Sequence, residues 1–547
     1  MPRLQVRSLV VVLVAVLATA ACTGPSTDPS PGSSGGTRGP ETTLRVLAGS
    51  ELEDLKPILD DLRTETGVTV QLDYAGTLDG AQAVADGSAG KKYDAVWFSS
   101  NRYLGLLPEA RAHLGPQEKI MTSPVVLGVK RSVAEKLGWD TGPVTWAQIA
   151  AAAAAKKFTF GMTDPSASNT GFSALVGVAA ALSGAGDALT TADVAKVGPR
   201  LKTMFAGQTL TAGSSGWLAD AYVKRATGRS PGAPVDGLIN YESVLLSLNA
   251  TAKLPEPLTL VYPSDGVVTA DYPLTLLDSA SASARNAYTR VVTDLRSPER
   301  QKAILDATRR RPIEPTVPLP DPLKKPTLIE LPFPARRDAV DALLSSYQNE
   351  IRRPSRTVYV LDASGSMKGD RINRLRAALT GLTGADTTLS GRFARFRARE
   401  EITLLAFASD VKAPVTVTVP ADGTADAALA RIRNAVSVLK AEGGTAVYQA
   451  LDRAYALLRS SPATGGPVTS IVLMTDGENT SGPKLADFRR FFAGYPAAQR
   501  TVPVYPVLFG ESRDSEMDQI ATLTGGRTFD ARTDALNTVF KEIRGYQ

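Results

Sequence analysis

The sequence predicts an α/β protein made of two successive domains, each built around a largely parallel sheet. Three observations carry this expectation. A chain of 547 residues is too long for one ordinary core. Short apolar, β-branched runs alternate with helix-period segments along most of it, as in parallel sheets covered by helices. A proline cluster (Pro312, Pro315, Pro318, Pro320, Pro322, Pro326, Pro332, Pro334) interrupts the alternation once, near the middle.

The first 21 residues carry Arg3 and Arg7, an apolar run from Leu9 to Leu17, and then Ala18-Thr19-Ala20-Ala21. That is the pattern of a secretory signal peptide, too short for a spanning helix. The one cysteine of the chain, Cys22, follows directly. The arrangement resembles a bacterial lipoprotein cleavage site, with Thr19 where the family most often has Leu. The resemblance implies that Cys22 is lipidated and holds the protein on the extracytoplasmic face of the cell membrane. Residues 22–42 then read as a flexible tether rich in Thr, Pro, Ser and Gly.

Residues 43–314 form the first predicted domain. Strands are expected at Leu44 to Ala48, Val68 to Tyr74, Ala95 to Ser99 and Pro124 to Val129. Helices are expected at Glu51 to Thr66, Val133 to Leu137, Trp146 to Ala155 and Gly171 to Leu182. Residues 315–335 read as a stiff, extended linker that excludes a helix. Residues 336–547 form the second domain, opening on an amphipathic helix from Arg336 to about Arg352. Its strands are expected at 357–361, 402–407, 415–419, 470–474, 502–509 and 527–529, with helices between them, at 371–382, 425–439, 447–459, 485–492, 515–523 and 534–544.

Composition excludes several chemistries. With one Cys and one His, the chain lacks the parts for thiolate zinc sites, disulfide frameworks, Ser–His–Asp triads and Cys–His dyads. The net charge of +6 is spread over 61 basic and 55 acidic residues, with no interleaved Arg and aromatic block, so no nucleic-acid partner is expected. Arg309-Arg310-Arg311 reads as a solvated edge, His113 is given no role, and Trp97, Trp139, Trp146 and Trp217 read as core.

The run Asp362-Ala363-Ser364-Gly365-Ser366 follows the strand-like Val358-Tyr359-Val360-Leu361. An Asp and two Ser residues at alternate positions turn small oxygen ligands toward one point, which suits a hard divalent cation. Gly443-Gly444-Thr445 adds a hydroxyl on a tight loop, and Thr475-Asp476-Gly477-Glu478 follows a second strand-like run, Ser470 to Met474. These segments, in this order, resemble the von Willebrand factor A (VWA) family and its metal-ion-dependent adhesion site. The resemblance implies a doubly wound, Rossmann-like domain in which Asp362, Ser364, Ser366, Thr445 and Asp476 hold Mg²⁺, or Mn²⁺, and an acidic side chain of a partner protein completes the coordination.

Residues 43–314 resemble the extracellular solute-binding proteins of bacterial ABC transporters, which implies a two-lobed, periplasmic-binding-protein-like fold with a hinged cleft. The loops Gly49-Ser50-Glu51, Ser99-Ser100-Asn101 and Asp164 to Gly171 present hydroxyls and free N–H groups at helix starts. Ser50, Ser99, Ser100, Asp164, Ser168, Asn169 and Thr170 are accordingly candidates for contact with a small solute, and equally read as helix caps; Tyr241 and Asp265 are candidates to line the second lobe, and equally read as a strand end and a Pro-set turn. A non-catalytic, membrane-tethered binding protein is the leading expectation and a solute receptor of an ABC-type transporter the alternative. An aspartyl phosphatase is disfavoured, because Ser364 stands where such enzymes place a second carboxylate.

Overall fold

The computed structural model describes residues 41–251, 253–324, 327–458, 466–510, 514–532 and 535–547. The expected signal peptide, Cys22 and almost all of the tether lie outside the described residues. Among the described residues no helix is long and apolar enough to cross a membrane.

The solute-binding-like part contains two sheets. One has five strands in the order Val68–Tyr74, Thr42–Ala48, Ala95–Trp97, Pro273–Leu277 and Leu114–Lys119. The first three are parallel, and Pro273–Leu277 runs against both its neighbours. The other has seven strands, running from Thr269–Ala270 through Met121–Lys130, Gly237–Tyr241 and Phe160–Thr163 to Gln208–Ala212, with Leu258–Val261 and Arg311–Pro312 also on Met121–Lys130. The chain therefore leaves the first sheet after Lys119 and rejoins it at Pro273. Arg311 pairs beside Thr122, so a third crossing lies against the first. Adjacent crossings of this kind make two lobes with a shared hinge.

The C-terminal sheet has six strands in the order Val415–Thr418, Glu401–Phe407, Ser355–Asp362, Val468–Thr475, Val504–Leu508 and Phe529–Asp530. All pair in parallel except the edge strand Val415–Thr418. In the central strand Ser355–Asp362, Tyr359 and Leu361 face one apolar cluster, with Leu375, Ile432, Phe540 and Ile543. Val358 and Val360 face another, with Tyr448, Leu451, Tyr455 and Phe488. Both faces are covered by helices, which is why the strand reads as an unbroken apolar run.

Several local features differ from expectation. The helix opening the second domain is α-helical over Arg337–Ser346 and widens into a π turn over Tyr347–Ile351. The helix after the Asp-x-Ser-x-Ser run spans Asp370–Thr380 and widens again at Gly381–Ala385. A short helix, Leu389–Ala394, stands where none was expected. The proline-rich segment contains a helical turn, Asp321–Lys324, because Pro322 sits in the first turn, where no N–H is needed. That segment also packs. Val317 and Leu323 are buried with Leu305, and Glu330 binds Arg102 at 2.6 Å while accepting from Thr269 N–H at 3.1 Å.

The second domain is joined to both lobes of the first. On one lobe, Gln82 Oε1 accepts from Leu389 N–H at 2.9 Å and Asp79 accepts from the Ser390 hydroxyl. On the other, the fully buried Asp164 accepts from Gln348 Nε2 at 3.1 Å, with Arg352 at 3.6 Å. Beside it, Arg544 makes a two-pronged contact with Glu400 at 2.7 Å on each oxygen, and Arg397 is enclosed with them. Burial alone would push the Glu400 carboxyl up, but Arg544, Arg397 and Arg352 together hold it below its ordinary value. Its contribution is thus present above the unfolded carboxylate range and lost as pH falls through the lower folded value. E400Q strands buried guanidinium charge and is expected to cost about 3–5 kcal/mol. Thermal denaturation across pH should show a lower melting temperature for E400Q at neutral pH and a shallower fall on acidification than in the wild type.

Candidate metal centre and interlobe cleft

Asp362 closes the central strand, and Asp476 directly follows its neighbour Val468–Thr475, with Leu361 opposite Met474. Parallel strands in register bring both carboxylates to the same carboxyl edge of the sheet. Both are buried, as are Ser364 and Thr445, while Ser366 is exposed at the rim. Asp362 Oδ1 accepts from Ser364 N–H at 2.8 Å, and Oδ2 accepts from the Thr475 hydroxyl at 2.7 Å. The Ser364 and Ser366 hydroxyls lie 3.0 Å apart, and Ser366 donates to Asp476 Oδ1 at 2.7 Å.

Thr445 arrives on a loop tied to both strand ends. Gly365 N–H donates to Gly443 O at 2.9 Å, Glu442 N–H to Ala363 O at 2.8 Å, and Thr480 N–H to Thr445 O at 2.9 Å. Gly443 takes a positive φ of 77°, and a Cβ there would stand 2.8 Å from Ser409 Oγ. Only glycine fits this approach. The predicted five-residue set is thus gathered at one edge, while Thr475, Thr480 and Ser409, which support it, were not expected.

Two carboxylates and three hydroxyls form an all-oxygen donor set suited to a hard cation. Among the described residues no group of three or more His, Cys, Asp or Glu side chains gathers into a metal site. Burial pushes the Asp362 carboxyl up; hydrogen bonds from Ser364 and Thr475 oppose this, and the Asp476 charge adds to it. A positive side chain reaches the site, since Arg371 Nη1 donates to Asp476 Oδ2 at 2.7 Å.

The cleft candidates separate into two groups. Asn169 Nδ2 donates to the Tyr241 hydroxyl at 3.1 Å; Ser99 and Thr170 are buried, and the Thr170 hydroxyl has no hydrogen-bond partner among the described residues. Burial pushes Tyr241 well up, and Glu51 adds to that. The Tyr272 ring lies tilted beside that of Tyr241, with ring centroids 6.1 Å apart and 54° between their planes. This cluster joins residues of both lobes. The others are placed differently. Asp164 is turned toward Gln348 and Arg352 of the second domain. Asp265 accepts from Trp146 N–H at 2.9 and 3.1 Å, a helix cap. Ser100 accepts from Arg102 N–H at 3.3 Å, Ser168 precedes the helix Asn169–Ser183, and Ser50 is exposed.

Two readings of single residues are corrected. Arg310 is not a solvated edge: it is 1% exposed, binds both Asp54 oxygens at 2.8 Å and lies 4.9 Å from the Tyr272 ring centroid. Arg311 likewise makes a fork to Glu242 at 2.7 Å. Trp217 is not core: it is 38% exposed and carries the Arg527 guanidinium 3.8 Å from its ring centroid. Both follow from tertiary partners that local composition does not display.

Residues 44–307 match the sequence model of the bacterial extracellular solute-binding protein family. Residues 357–478 match that of the von Willebrand factor type A domain. Among curated proteins, inter-alpha-trypsin inhibitor heavy chain H4 of Sus scrofa is 28% identical over 133 residues, which are 24% of this chain and 13% of that one. The chain thus spans only a small part of that relative's length. Among solved structures, the periplasmic binding protein AfuA from Actinobacillus pleuropneumoniae, with fructose-6-phosphate bound, aligns at TM-score 0.42 and 15% identity over 57% of this chain and 99% of that one. A von Willebrand factor type A protein from Catenulispora acidiphila aligns at TM-score 0.27 and 21% identity over 36% of this chain and 42% of that one. By the two family matches, the chain carries an extracellular solute-binding-protein domain over residues 44–307 followed by a VWA domain over residues 357–478.

Proposed function

We propose that this protein is a non-catalytic, extracytoplasmic binding protein whose VWA domain holds Mg²⁺, or Mn²⁺, through Asp362, Ser364, Ser366, Thr445 and Asp476. The observation that carries the reading is the convergence of Asp362, the Ser364–Ser366 hydroxyl pair and Asp476 through contacts of 2.7–3.0 Å at one sheet edge. A bound divalent ion would supply a point of positive charge for an acidic side chain of a partner protein. The chain's own residues do the preparatory work. Thr475 and Ser364 N–H fix the Asp362 carboxylate, and Ser366 stands exposed at the rim where a partner arrives. With Cys22 lipidated, the whole assembly would sit at the membrane surface on its tether.

A second reading, a receptor for a small solute delivered to an ABC-type transporter, is favoured by the approach of Asn169 and Tyr241 of one lobe to Tyr272 of the other, with the buried Thr170 hydroxyl left without a partner. It predicts that a matching solute raises the melting temperature of the full chain, since a ligand that binds only the folded state must stabilise it. A panel of oxyanions, sugars and amino acids that leaves the melting temperature unchanged would count against it.

The metal reading is tested by following free Mn²⁺ by electron paramagnetic resonance as the full chain is added. The wild type is expected to deplete the free-ion signal and D362N to leave it unchanged. Equal depletion by both overturns the site. In EDTA, D362N is expected to melt about 2 °C higher than the wild type, because a neutral amide replaces a buried carboxylate. Ion binding should weaken as pH falls, since protons compete for Asp362. The weakening should begin at higher pH than for an exposed Asp, because burial raises that carboxyl.

A further inference from the structure

Arg371 lies in the first turn of the helix Asp370–Thr380, five residues after Ser366. Its Nη1 donates to Asp476 Oδ2 at 2.7 Å and lies 3.4 Å from Ser366 O. Asp476 therefore has both oxygens engaged, Oδ1 by the Ser366 hydroxyl and Oδ2 by a guanidinium. The far side of this pair is closed by Gly510 at φ 76°. A Cβ at that position would stand 3.0 Å from Asp476 Cβ and 3.1 Å from Arg371 Cζ. The backbone thus leaves room for a guanidinium against Asp476. The Arg371 side chain is nonetheless 33% exposed, whereas Asp476 is enclosed, so the pair is open to solvent from the arginine's side.

We infer that Arg371 is a tethered cation that competes with the divalent ion for Asp476 and is displaced to the rim of the site when the ion binds. This rests on the metal reading proposed above. A guanidinium has five N–H donors and no lone pair to offer, so it cannot join a coordination shell. Its charge repels a divalent ion, and in a largely buried site that repulsion is weakly screened. The charge count gives the exchange its direction. Asp362 and Asp476 with Arg371 sum to −1, which favours uptake of a cation. Adding a divalent ion brings the sum to +1, which favours uptake of an anion. A displaced Arg371 stands beside the ion as a forked donor suited to a carboxylate. The arginine thus lowers intrinsic ion affinity and adds a contact for the acidic group that the ion captures.

The test uses the full chain and Mn²⁺, with affinity read by electron paramagnetic resonance and melting temperature read in EDTA and in Mg²⁺. R371Q removes the charge and is expected to bind Mn²⁺ roughly tenfold tighter than the wild type, with like-charge repulsion gone. In EDTA it should melt below the wild type, having lost the counter-charge to two buried carboxylates, and it should gain more on addition of Mg²⁺. R371K keeps the charge without the fork and is expected to fall between the two. An affinity for R371Q equal to or weaker than that of the wild type overturns the inference and makes Arg371 a support for Asp476, with the metal site intact. If R371Q does not fold, R371K binding Mn²⁺ no tighter than the wild type overturns it as well. Absence of Mn²⁺ binding by the wild type and both variants overturns the metal site and the inference with it.

Discussion

The central strand Ser355–Asp362 carries apolar side chains to both faces of its sheet, and both faces are covered by helices. A strand in that position cannot slip by one residue without exchanging its two faces between two differently shaped clusters. Register is therefore pinned, and the first residue beyond the apolar run must emerge at the carboxyl edge of the sheet. That residue is Asp362. The same constraint acts on Val468–Thr475 and delivers Asp476 alongside. The site is thus a product of core packing: the loops supply hydroxyls, but the sheet sets where the carboxylates stand.

Burial at this edge has an electrostatic cost that the surrounding groups offset. Asp362 is fixed by an N–H and a hydroxyl, and Asp476 by a hydroxyl and a guanidinium. A similar balance holds where the VWA domain meets the solute-binding-protein domain. Asp164, Arg352, Arg397, Glu400 and Arg544 are all buried there, and each acid is answered by at least one arginine or amide. Breaking one partner leaves the others charged in a medium that cannot solvate them. The two domains accordingly share ion pairs and apolar clusters, with the proline-rich segment packed on the first domain through Glu330 and Leu323.

What could be read in advance depended on the range of the interaction. Strand-like runs at 357–361 and 470–474 were legible because both faces of a covered sheet must be apolar, and the five ligand candidates because short polar residues directly follow such runs. Asp265 was legible as polar but not as a helix cap for Trp146, since its partner lies 119 residues away. Asp164 looked like a cleft residue because it precedes a helix with its Ser and Asn neighbours. Besides Ser166 of its own loop, it meets Gln348 and Arg352, which belong to another domain. Arg310 looked solvated because it stands in a run of three arginines, and only the fold sets Asp54 and Tyr272 around it. The turn Asp321–Lys324 is not legible from proline density, which disfavours helix interiors, because the first turn tolerates proline.

By itself the sequence determined the α/β class, the two successive domains and the run of oxygen-bearing residues that are candidates for a hard cation. These follow from local periodicity and from which side chains can emerge at a strand end. The tertiary structure alone decided that Arg371 lies on Asp476, that Asp164 faces the VWA domain and that Tyr272 meets Tyr241 across two lobes. Such pairings depend on backbone segments far apart in the chain, brought together by burial of apolar faces that carry no information about their polar neighbours.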